Sequence, residues 1–228
     1  MFNTLKILFT NRHFRTVGLV FAVNSIMFGS WITRLPDVQN RLGLSEGALG
    51  LALLGLPLGS IAIMPFMGWI IHKLGDGKTT LISGLIYCLA STLPILAPNY
   101  VLLLVALTLT GLSTGAMDIA MNASAAAVEA RYGQVIMSAC HGMWSVGGMI
   151  GAGTTSLLAG FGIPAGPHIV VLGFLLLIVM MIHTRALRSI REETVSDVIF
   201  SLPSGPLVGI AVIGFCIMLG EGAIADWS

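Results

Sequence analysis

Seven apolar stretches, each about as long as a bilayer is thick, leave this 228-residue chain few ways to fold. A helix needs roughly 20 predominantly apolar residues to cross the hydrocarbon core. Runs of that kind fall at 14–35, 47–71, 79–97, 101–127, 134–160, 168–184 and 206–227. Turn-forming residues separate them: Pro36-Asp37, Gly75-Asp76-Gly77, Pro98-Asn99, Arg131-Tyr132-Gly133, Pro164 to Pro167 and Pro203-Ser204-Gly205. Only 9% of the residues are charged, against about 25% in an ordinary soluble domain. The expected fold is an all-α integral membrane protein with a six-helix bundle over 1–184. A linker then follows over 185–205, and 206–228 is the first helix of a second bundle.

The distribution of positive charge orients these spans, because loops retained in the cytoplasm are enriched in Lys and Arg. With the N-terminus inside, the inner segments hold Lys6, Arg12, Arg15, Lys73, Lys78, Arg131, Arg185, Arg188 and Arg191, and the outer ones hold Arg34 and Arg41. A cytoplasmic N-terminus follows. Met1 to Thr10 is apolar but too short for a cleavable signal and lacks a small-residue cleavage site, so it reads as an interfacial lead-in. In the linker, Ile190, Val195, Val198, Ile199 and Leu202 are spaced to line one side of a helix lying on the membrane surface; the alternative is a disordered linker. The net charge of +1 supplies no basic stripe to track phosphates, which excludes a nucleic-acid partner. Cys88, Cys140 and Cys216 lie inside apolar runs without CxxC spacing and read as reduced core thiols.

Polar residues inside the spans carry the functional information, since an intramembrane ionisable group needs a partner or a task. In the fourth span Gly111, Gly115, Asp118, Asn122, Ala125 and Glu129 fall within about 40° of one line on a helical wheel. An Asp at the bilayer centre costs about 2.5–3.5 kcal/mol on insertion scales. A carboxyl that is neutral when sealed and ionised when wetted suits proton transfer; the alternative is an Asp locked to a neighbouring amide or hydroxyl. In the fifth span His141, Ser145, Gly148 and Ala152 share a face with Trp144 on its flank, and His141 is level with Asp118 if the two spans run antiparallel. His141 is either a proton relay or a hydrogen-bonded core residue, and Trp144 either a stacking surface or packing. The first span carries Asn24 near mid-membrane, with Trp31 and Arg34 at its outer boundary as anchors or solute contacts. Glu221 lies deep in the seventh span. Residues 23–30 also align without gaps on 214–221, a weak internal symmetry of the kind found in repeat-built transporters.

These residues resemble the major facilitator superfamily, whose members rock two six-helix halves between inward- and outward-open states. The family's loop between spans two and three reads G-x-x-x-D-R-x-G-R-R. Here Gly68, Lys73, Gly75 and Lys78 are kept, and His72 stands where the Asp is expected. The resemblance implies a gating role for this loop. Within the superfamily the chain is similar to the fucose–proton symporter branch and its MosC-like bacterial inner-membrane group. That likeness rests on Trp31-x-x-Arg34-Leu35-Pro36, Gly115-x-x-Asp118-x-x-x-Asn122, His141-x-x-Trp144-Ser145-x-Gly147 and Glu221-Gly222-x-x-x-Asp226-Trp227. In those symporters an acid of the fourth span takes part in proton coupling, and Asp118 matches it. Their first-span acid has no counterpart in Trp31-Ile32-Thr33.

The expected function is secondary active transport of a small polar solute, a sugar or sugar-like metabolite. Asp118, Glu221 and His141 are the proton-coupling candidates. Asn24, Asn122, Trp144, Ser145, Trp31 and Arg34 are the solute-binding candidates. No cofactor beyond the proton is expected, the surroundings are lipid, and a second half of the protein is required for function. Three other readings remain open: a proton-driven antiporter exporting a metabolite or drug, an intramembrane serine hydrolase using His141, and a non-transporting membrane subunit. The hydrolase reading lacks a G-x-S-x-G elbow.

Overall fold

In the computed structural model, described residues are 2–189, 205, 208–209, 212–217 and 220. They form two units, one within Met1–Val195 and one within Ser196–Ser228. The described residues of the second unit are helical, and 212–217 are exposed throughout. The seventh span, Glu221, Asp226 and the 190–202 surface helix lie wholly or largely outside the described residues.

The first unit consists of α-helices with no strand among the described residues. The lead-in is helix α1 (Phe2–Thr10), and Asn11 starts α2 (Arg12–Thr33) by accepting a hydrogen bond from the His13 amide at 2.8 Å. The first crossing does not end at Pro36. It breaks two residues earlier at Arg34 and continues as α3 (Leu35–Leu42), because Pro36 falls in a first turn where its missing N–H is harmless. Next come α4 (Glu46–Leu53), α5 (Gly55–Leu74), α6 (Asp76–Ala90), α7 (Leu93–Leu96), α8 (Tyr100–Tyr132), α9 (Met137–Gly160) and α10 (Ala165–His183). A 3-10 turn, Thr184–Ser189, prolongs α10 into the expected linker and buries Leu187.

Among the described residues, five segments are long and apolar enough to cross a membrane: Arg12–Leu42, Glu46–Leu74, Asp76–Leu96, Tyr100–Tyr132 and Ala165–Leu187. The expected fifth span differs. Helix α9 has 24 residues, so at 1.5 Å per residue it reaches about 36 Å, enough for a core about 30 Å thick. Its Gly, Ser, Thr and His residues interrupt the apolar run, and it is not among those five. The physical reason is its neighbour: α9 lies against α2, so one side of it faces protein.

Two close crossings hold the unit together. A Cβ on Gly147 or Gly151 of α9 would overlap the α2 backbone at Ala22 or Ile26, and one on Gly111 of α8 would overlap the Leu56 carbonyl of α5. Each crossing also carries a serine hydroxyl donating to a glycine carbonyl: Ser30 to Gly151 at 3.1 Å and Ser60 to Gly111 at 2.9 Å. The first span thus packs on the fifth and the fourth on the second. That exchange is what two inverted three-helix repeats produce. Helix α6 packs behind α8, where Thr80 donates to the Ala120 carbonyl at 2.8 Å, and α10 closes on α6.

Candidate functional site

The polar stripe of α8 divides into two parts. Gly111 and Gly115 are buried under α5, whereas Asp118 one turn further along is exposed and Asn122 half-buried. The Asn122 Nδ2 donates to the Asp118 backbone oxygen at 2.9 Å and to Asp118 Oδ1 at 3.4 Å, holding the carboxylate by an i,i+4 contact. On α9, His141 and Ser145 are also exposed. The Ser145 hydroxyl donates to the His141 carbonyl at 3.2 Å, which leaves its lone pairs open. His141 stands near enough to act electrostatically on the Asp118 carboxylate, and neither a hydrogen bond nor an ion pair joins them among the described residues. The His141 ring is held instead by the buried Phe21, edge-on at 5.3 Å between centroids.

Asp118, Asn122, His141 and Ser145 therefore gather on one polar face shared by two spans. Such a face does not belong against lipid, where an unpartnered carboxylate is costly. It suits a water-lined cavity or a second protein surface.

Trp144 lies at the edge of this face and is fixed from behind. Its Nε1 donates to Asn24 Oδ1 at 2.9 Å, and its ring lies against Phe28 with centroids 6.1 Å apart at 35°. Asn24 is 5% exposed. Its Nδ2 reaches Met117 Sδ at 3.5 Å, and its backbone oxygen accepts from the Tyr87 hydroxyl at 3.0 Å. Asn24 thus ties α2 to α6, α8 and α9. Sequence reasoning did not single out Tyr87, Met117 or Phe21. A tyrosine inside an apolar span, whose hydroxyl must find an acceptor, was the available signal for the first.

Trp31 and Arg34 are not brought to the polar face, nor are they surface anchors. Trp31 is 5% and Arg34 2% exposed. The Arg34 Nη2 donates to the Ile163 carbonyl at 2.9 Å and Nη1 lies 3.6 Å from Asp37 Oδ2. A guanidinium that pairs a carbonyl from the α9–α10 turn is drawn inward, because a buried carbonyl without a donor is the costlier arrangement. Glu129, at the far end of the stripe, accepts from the Ile136 and Met137 amides at 2.6 and 2.7 Å and so caps the start of α9. Gly68 and Lys73 of α5 and Lys78 of α6 are exposed, and Gly75 between the two helices turns the chain at φ 83°. Cys88 and Cys140 are free and buried. Cys216 is free but exposed on its helical stretch, so two of the three expected core thiols are core.

Residues 17–223 match the Major Facilitator Superfamily. The chain is 32% identical over 210 residues to an uncharacterized MFS-type transporter of Yersinia pestis, covering 92% of this chain and 55% of that protein. It is 32% identical over 218 residues to an uncharacterized transporter of Sinorhizobium fredii, covering 94% and 57%. To membrane protein MosC of Rhizobium meliloti it is 29% identical over 212 residues, covering 93% and 52%. The chain spans about half the length of these curated relatives.

Proposed function

The chain belongs to the Major Facilitator Superfamily, a family of transporters rather than enzymes, and from that premise we propose that it is the first half of a proton-coupled secondary transporter for a small polar solute. One observation carries the reading: a carboxylate, an amide, an imidazole and a hydroxyl (Asp118, Asn122, His141, Ser145) share one face of two membrane helices. Asp118 is the proton carrier. Wetted, it is ionised; sealed, its charged form is disfavoured and it takes a proton. His141 sits within electrostatic reach as the accessory group, and Glu221 of the seventh span is the second acid.

Asn122 and Ser145 supply hydrogen bonds to the solute, and Trp144 supplies a flat apolar surface suited to a sugar-like ring. The missing half closes over this face, and the Gly68–Lys78 turn gates the rocking. The N-terminus and the Lys73–Lys78 turn lie in the cytoplasm of a bacterium whose inner membrane holds the protein. The solute class, neutral monosaccharides and related polyols, follows the likeness to the fucose–proton branch.

The test is solute-driven proton flux in proteoliposomes carrying the full-length protein, with a panel of monosaccharides and polyols. Wild type acidifies or alkalinises the lumen when a transported solute is added, and Asp118→Asn moves solute without protons. Coupling that survives Asp118→Asn removes Asp118 from the mechanism. The sign of the flux under an imposed pH gradient distinguishes uptake by symport from export by antiport.

A further inference from the structure

A furrow of about 530 Å³ runs between α5, α6 and α8 on the side of the unit away from the polar face. Its α8 wall is Leu109, Leu112, Ser113 and Ala116. At 100° per residue these lie between about 120° and 220° from Asp118, so the furrow faces lipid when Asp118 faces the cavity. Its α6 wall runs from Thr79 to Ala90, with Leu93 of α7 beyond it; the α6 part is about 17 Å of helix, close to the depth of one leaflet of a hydrocarbon core about 30 Å thick. Apolar side chains stand open along it, Ile86 at 52% and Ile82 at 44% exposure.

The end of this slot is chemically distinct. Leu74 and Thr79 bound it at the α5–α6 turn, and the residues before each, Lys73 and Lys78, are exposed. The Lys73 ammonium sits 5.0 Å over the ring of Trp69, a half-exposed aromatic of the kind that marks the headgroup level. Asp76 is the acid in this turn and is 4% exposed. With the acid turned inward and both lysines outward, the rim of an apolar slot one leaflet deep is cationic.

We propose that this furrow is a binding site for an anionic phospholipid, with one acyl chain in the slot and the phosphate held between Lys73 and Lys78. A zwitterionic lipid fills the slot equally well but brings its own cation to the lysine rim. The preference for net negative charge is therefore the signature of the site. It rests on the reading of the Asp118 face as the cavity side, and lipid retention is read without any solute or proton flux, so the two readings fail separately.

Full-length protein is reconstituted in a mixed bilayer of phosphatidylcholine and phosphatidylglycerol, and the lipids it retains are counted by native mass spectrometry. Wild type retains phosphatidylglycerol in preference to phosphatidylcholine. Lys73→Gln/Lys78→Gln lowers that preference roughly 25-fold, from about 1 kcal/mol per basic residue near an anionic headgroup at 1.4 kcal/mol per tenfold. Ala116→Phe, which fills the slot and leaves the rim intact, lowers retention of both lipids. Lys6→Gln, an exposed charge on α1, leaves the preference unchanged. Equal retention of the two lipids by wild type overturns the proposal, as does an undiminished preference in the double-glutamine variant or an equal loss in Lys6→Gln. Both lysines are exposed, so a matched thermal unfolding curve verifies that the glutamine variant is folded.

Discussion

At the residue scale the informative position is Asn24, because three separate elements meet on one residue. Its Oδ1 holds the Trp144 indole at 2.9 Å, its Nδ2 faces Met117 and its backbone oxygen takes the Tyr87 hydroxyl. A group so engaged positions others. Asn24 therefore fixes Trp144 at the edge of the polar face, and in the proposed function solute contact is assigned to Trp144, Asn122 and Ser145. A double-mutant cycle on Asn24→Ala and Trp144→Phe, read by thermal unfolding of the purified full-length protein, should give a coupling of about 0.6–1.7 kcal/mol, the range for hydrogen bonds between membrane helices. A coupling of zero would mean that each residue merely packs. The sequence made Asn24 visible as a polar group at mid-membrane but could not show its direction. Depth follows from counting along a helix, whereas direction depends on which neighbour the helix meets. Arg34 was placed at the outer end on the same grounds, and its inward turn to Ile163 was hidden because the partner is 129 residues away.

At the element scale, turn chemistry was legible and helix pairing was not. Gly75 and Gly133 both adopt positive φ at the ends of α5 and α8, where the sequence placed breaks. The register of α8 and α9 was also readable, with Asp118 and His141 brought within electrostatic reach. However, hydrophobic period identifies a small or polar face without naming what covers it. The Gly111/Gly115 half of the stripe faces α5, and Gly147 and Gly151 face α2. Close approach, more than hydrogen bonding, holds these crossings: losing Ser60 Oγ removes one interhelical bond worth about 0.6 kcal/mol, while a methyl on Gly111 drives α8 off the α5 backbone. Gly111→Ala should therefore lower the melting temperature well beyond Ser60→Ala. Gly148→Ala, whose Cβ would meet nothing within 4 Å, should leave it within the error of wild type. A Gly111→Ala protein as stable as Gly148→Ala would show that the α5–α8 crossing relaxes freely.

At the scale of the whole molecule, the first unit has ends of different charge character and a face that it does not cover itself. His13 and Tyr132 meet at 2.7 Å, so the start of α2 and the end of α8 share one end of the bundle, and Arg12, Arg15 and Arg131 lie there with them. At the opposite end Arg41 donates to the Ile95 and Ala97 carbonyls, and Arg34 to that of Ile163, so both cations are spent on backbone oxygens within the fold. The proposed orientation rests on the end that holds Arg12, Arg15 and Arg131, and the proposed side of proton entry to Asp118 rests on the orientation. Glu46 and Lys78 are exposed at opposite ends. In full-length protein with Cys216→Ser, leaving Cys88 and Cys140 buried, a membrane-impermeant thiol reagent should label Glu46→Cys on intact cells. Lys78→Cys should label only after permeabilisation. The reverse pattern would place the N-terminus outside, reverse the direction of proton entry and require a separate explanation for the basic end.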